Sequence, residues 1–63
     1  MTQKELSYVE DAVEHETSII YILEDTKNKL DDQELVSYIG REINKHTNLK
    51  EKLINLLEEK ANG

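Results

Sequence analysis

Apolar side chains recur at alternating steps of three and four residues through most of the chain, the spacing that lays them along one side of an α-helix. The first run is Leu6, Val9, Val13, Glu16, Ile20, Leu23, Lys27 and Leu30; the second is Val36, Ile39, Ile43, His46, Lys50, Leu53 and Leu57. Ala12 and Ile19 widen the first stripe, and Leu35, Leu49 and Leu56 widen the second. The helix starts carry their own signals. In Thr2-Gln-Lys-Glu5 the Thr2 hydroxyl can accept from the Glu5 amide while the Glu5 carboxylate reaches back, a capping box. Asp31-Asp-Gln-Glu34 repeats the pattern with Asp31 as the cap, and Leu30 and Met1 are placed to staple onto Leu35 and Leu6. Lys27 and Lys29 supply cations at the negative end of the first helix, and the Asp pair sits at the positive start of the second. The pattern predicts helix 1 over about 3–28, a tight corner near 29–31 and helix 2 over about 32–60. Each helix would be roughly 40 Å long. A corner this short makes the helices antiparallel neighbours, so the predicted fold is all-α, a two-helix hairpin forming one domain over residues 1–63.

Two helices make one seam, and this sequence carries more apolar residues than one seam can use. Ile19, Tyr21 and Ile22 on the first helix, with Tyr38 and Ile54 on the second, need a further surface. Leaving them in water forfeits roughly 25 cal/mol per Å² of apolar area. The economical arrangement is a homodimer in which two hairpins form a four-helix bundle. The alternative is a monomer whose tyrosines lie along the surface with their hydroxyls in water. Gly40, mid-helix, costs about 1 kcal/mol against alanine and is expected where another helix approaches closely.

Composition narrows the classes. Sixty-three residues lie near the size where a lone core becomes marginal. Cysteine is absent, so neither a disulfide nor a thiolate cage can brace the fold, which leaves association or a His/carboxylate site. Fourteen acidic residues against eight basic ones give a net charge of -6, the wrong sign for binding a nucleic-acid backbone. No apolar run reaches membrane-spanning length and no secretory-signal pattern opens the chain, so a soluble, cytoplasmic protein is expected with no membrane partner. Proline is absent and the glycines are Gly40 and Gly63, which is helix composition.

The chemistry sits where the stripes turn polar. Glu16 and His46 each lie fifteen residues from a corner at residue 31, so the hairpin brings them to one level. Glu42, one turn before His46, lies on the adjoining flank, whereas His15 points outward. Three readings follow. The pair can be a buried hydrogen bond that fixes register while costing stability. Glu16, Glu42 and His46 can instead be ligands for iron, manganese or zinc, as in bundles where one helix gives a Glu and the next a Glu-x-x-His. Here the spacing is Glu42-x-x-x-His46, with Ile43 standing where that motif has its Glu. The third reading, general acid–base catalysis, lacks a nucleophile: Ser18 and Ser37 have no base beside them and no Gly-rich phosphate loop exists. A non-enzymatic protein without a cofactor is therefore expected. Lys27 and Lys50 can snorkel from the stripes, and Glu10, Asp11 and Glu14 form an acidic face for a further protein partner.

With these residues laid out, "KELSYVEDAVEHE" (Lys4 to Glu16), "LDDQELVSYI" (Leu30 to Ile39) and "INKHTNL" (Ile43 to Leu49) resemble the short spore coat protein F-like family of spore-forming Firmicutes. The resemblance covers most of the chain, in order. It implies a ferritin-like arrangement of paired hairpins, a structural, spore-associated role without catalysis, and self-association, because the family's longer members carry two such units. It also implies metal ligands at Glu16 and His46, with Ile43 a departure. A second resemblance, to small sporulation phosphatase hairpins that bind a response regulator, places their Ser-Gln-Glu-Leu-Asp signature on "GREIN" (Gly40 to Asn44). Only Glu42 matches there, and Asn44 replaces the acid.

Overall fold

The structure, a computed structural model, describes residues 1–62. It contains two helices, α1 (Gln3–Asn28) and α2 (Gln33–Asn62), folded back on one another and packed along their length. Neither is long and apolar enough to cross a membrane.

α1 begins as its sequence dictates. The Glu5 amide donates to Thr2 Oγ1 at 3.1 Å, and the Thr2 amide donates to Glu5 Oε1 at 2.8 Å, so both halves of the box are made. These bonds satisfy donors that a helix start leaves orphaned. At the other end the backbone tightens through bonds from Lys29 N to Thr26 O and from Leu30 N to Lys27 O. Lys29, the C-cap, has φ -97° and ψ -3°. No described residue has a positive φ, so the corner closes without glycine.

The start of α2 differs from expectation by one residue. Asp32, not Asp31, is the cap: its Oδ1 accepts from the amides of Glu34 (2.9 Å) and Leu35 (3.1 Å), and its carbonyl accepts from Val36 N. A cap at Asp32 puts Leu35 at the third helical position, where a capping box needs Glu or Gln, so this cap has no reciprocal half. The helix therefore opens at Gln33, one residue later than the sequence pattern set it.

The seam between the helices is built from the two predicted stripes. Leu6, Val9, Val13, Ile20 and Leu23 face Ile39, Ile43, Leu53 and Leu57, all of them half-buried. Among the described residues no apolar side chain is fully buried. The molecule is a rod of 46 × 15 × 11 Å with a radius of gyration of 14.6 Å. A compact chain of this length would have about 11 Å. Its accessible surface of 4993 Å² exceeds by about 800 Å² that of a compact monomer of this mass.

The hairpin has two broad faces, and its register assigns residues to each. Because the helices run in opposite directions, a position one residue before a seam residue falls on the same side of both. That side carries Tyr8, Ala12, Ile19 and Ile22 from α1, and Leu35, Tyr38, Leu49 and Leu56 from α2. A groove at the open end, lined by Met1, Glu5, Tyr8 and the seam residue Val9 together with Leu56 and Lys60, has both helices contributing to it. Positions one residue after the seam form the opposite face, where Tyr21, Gly40 and Ile54 sit among Glu10, Glu14, Glu24, Glu51 and Glu58. On that side the atom nearest a Cβ built on Gly40 is Lys27 Nζ, at 3.9 Å. The close helix approach expected at Gly40 is thus not made by α1; the Lys27 ammonium lies over the position instead.

Candidate functional site

The middle of the seam holds a carboxylate and an imidazole. Glu16 is the one buried residue among those described, with 9% of its surface exposed. His46 Nδ1 lies 2.5 Å from Glu16 Oε2, and the His46 side chain remains 29% exposed. An ionised carboxylate only accepts, so with Glu16 charged the imidazole Nδ1–H is the donor. The fold brings the two together for the reason their numbers implied: both stand at one level of a hairpin whose corner is equidistant from them. No buried side-chain nitrogen or oxygen among the described residues lacks a partner, so the pair satisfies its own buried polar atoms.

The third candidate ligand lies on the adjoining flank. Glu42 sits one residue before the seam position Ile43, on the broad face that carries Tyr38 and Leu49, and its Oε1 is 3.6 Å from Lys45 Nζ. His15 is exposed, as expected. Among the described residues no three His, Asp or Glu side chains converge closely enough to hold an ion. One chain therefore supplies two ligands, short of the three or four that zinc, iron or manganese takes from protein.

Four of the five residues assigned to an outer surface are exposed, and the five divide between faces. Ile19, Ile22 and Tyr38 share one face; Tyr21, 72% exposed, and the half-buried Ile54 lie on the other. Counting surplus apolar residues could not separate them, whereas offsets from the seam do. The same offsets pick out Tyr8, Leu35 and Leu49 as exposed companions of the first group. Arg41 lies 5.9 Å from the Tyr38 ring centroid, a cation over the rim of that face.

Comparison with known proteins gives no relative: no family model, no curated protein and no solved structure matches this chain.

Proposed function

We propose that this chain is a non-catalytic assembly module, a hairpin that completes its core by pairing with a second copy into a four-helix bundle of ferritin-like arrangement. One observation carries the reading: among the described residues no apolar side chain is fully buried within the hairpin, while Tyr8, Ile22, Leu35, Tyr38 and Leu49 are left in water. A fold held by so little burial gains from association what a larger domain gains from its interior. In such a bundle Glu16 and His46 set the alignment of the helices, since any slip along the seam would leave a buried carboxylate unpaired. The resemblance of Lys4–Glu16, Leu30–Ile39 and Ile43–Leu49 to spore coat protein F-like sequences supplies the proposed setting, a structural role in the spore coat. Sedimentation equilibrium on untagged protein tests it. A dimer is expected; a monomer at every concentration up to the millimolar range, still fully helical, would overturn it.

A second reading rests on the Glu16–His46 pair alone. Pairing two hairpins would double the set and allow ligands from both copies to surround iron, manganese or zinc. Metal analysis of untagged protein after soaking decides this: near-stoichiometric metal, lost in Glu16→Ala, supports it, and its absence from the dimer disposes of it.

A further inference from the structure

We infer that the second copy docks on one broad face only, the face one residue before the seam, and that the opposite face stays in solvent. This rests on the self-association proposed above and adds to it where the contact lies. Three observations converge. The first is the distribution of apolar surface: of the eight large hydrophobic residues exposed among those described, six lie on this face, Met1 borders the groove at its open end, and Tyr21 lies off it. The second is area. A face of 46 × 15 Å offers about 700 Å² per copy, and the excess surface of the hairpin is about 800 Å², close to what one partner contributes to an interface of standard size.

The third is charge, and it selects the occupant. The chain carries -6 overall, yet this face is close to neutral: Lys45 and Lys52 stand against Glu5, Glu42 and Glu59, and Lys29 at its edge is paired with Asp25. The surplus acid lies elsewhere, in large part beside Tyr21 and Ile54. Two copies meeting on that opposite face would set five carboxylates against five, whereas on the near-neutral face carboxylates and ammonium groups can alternate across the contact. The face is also divided along its length. Apolar groups toward the corner (Ile22, Leu35, Tyr38) and toward the open end (Tyr8, Leu49, Leu56) flank a middle where His15, Glu42 and Lys45 surround Ile19. A second copy slipped by a helical turn would press apolar ends onto that polar middle, so the same face also sets the alignment.

The three tyrosines make the test direct. Tyr8 and Tyr38 are on the face and Tyr21 is not, and all three are exposed in the hairpin alone, so protection of any of them must come from a partner. Nitration with tetranitromethane, mapped by mass spectrometry at concentrations where sedimentation shows a dimer, is expected to modify Tyr21 and to spare Tyr8 and Tyr38 several-fold. Any other pattern in a proven dimer overturns the assignment of the face while leaving self-association standing. A monomeric wild type would instead remove the self-association reading beneath it. Variants give an independent check. Ile22→Glu combined with Leu49→Glu should sediment as a monomer, folded or not, where the parent is a dimer, and Tyr21→Glu should remain dimeric; the reverse outcome overturns the proposal.

Discussion

Glu16 is an acid kept out of water in a hairpin where, among the described residues, no apolar side chain is fully buried. The partner that makes this tolerable is His46, and removing either leaves the other poorly satisfied. A Glu16→Ala, His46→Ala double-mutant cycle read by urea unfolding is expected to show each single change costing about 1–3 kcal/mol. The double change should cost less than the sum of the two, as expected of residues in contact. Replacing both by leucine should be neutral or stabilising while loosening alignment, seen as broadened amide resonances along the seam. Both residues were legible in the sequence, since each interrupts an apolar stripe at an equal count from the corner. Glu42 stands one turn before His46, on the adjoining flank. One residue of offset from the seam hands it to Lys45 instead. At the chain's first turn, the Thr2 amide and then its hydroxyl hold the Glu5 carboxyl below the usual carboxylate range. A depressed acid contributes stability above its unfolded pKa and loses it as pH falls through the folded value. A carbon-detected NMR titration should therefore find Glu5 with a midpoint lowered from the ordinary glutamate value, and Thr2→Ala, which removes the hydroxyl but keeps the amide, should raise it only part of the way back.

At the scale of the element, the helices were readable because two independent signals agreed, the three-four stripes along their length and the polar residues at their starts. α1 ends at Asn28, where the lysines of its last turn place its negative end. The start of α2 did not, because Asp31 and Asp32 are equally good caps in sequence. What separates them is which carboxylate reaches two free amides, and that is geometry at the corner. Asp32→Ala should cost about 1 kcal/mol in chemical denaturation, and Asp32→Asn little, since Asn caps as well as Asp. Asp31→Ala should stay within about 0.5 kcal/mol, as a surface substitution does. Gly40 gives a second check on the element. With Lys27 Nζ the nearest atom at 3.9 Å, a methyl group fits, and alanine is the better helix former by about 1 kcal/mol. Gly40→Ala should raise the melting temperature by about 4–8 °C. A fall would mean that another helix rests on Gly40, which is where the sequence pattern alone had pointed.

For the whole molecule, the hairpin itself was legible and the division of its two sides was not. The residues left over from the seam can be counted in a sequence, but which of them share a face follows only once the seam residues are fixed. Tyr21 and Ile54 then part company with Ile19, Ile22 and Tyr38. If folding is completed by pairing, stability belongs to the pair, so the melting temperature should climb with protein concentration across a hundredfold dilution series; a constant value would indicate a self-sufficient monomer. The hairpin geometry also dictates how the chain finds its shape. With one short corner, every partner across the seam has a place on a ladder numbered outward from residue 31, and the loop that must close grows steadily with each rung. Closure entropy rises with that loop, so the rungs at Leu23 and Ile39 form before those at Leu6 and Leu57, as a zip closes from its fixed end. Weakening the near rungs slows the closing, and weakening the far ones hastens the opening. Glu16 and His46 stand halfway, at the point where a mispaired strand of the zip would first be stopped.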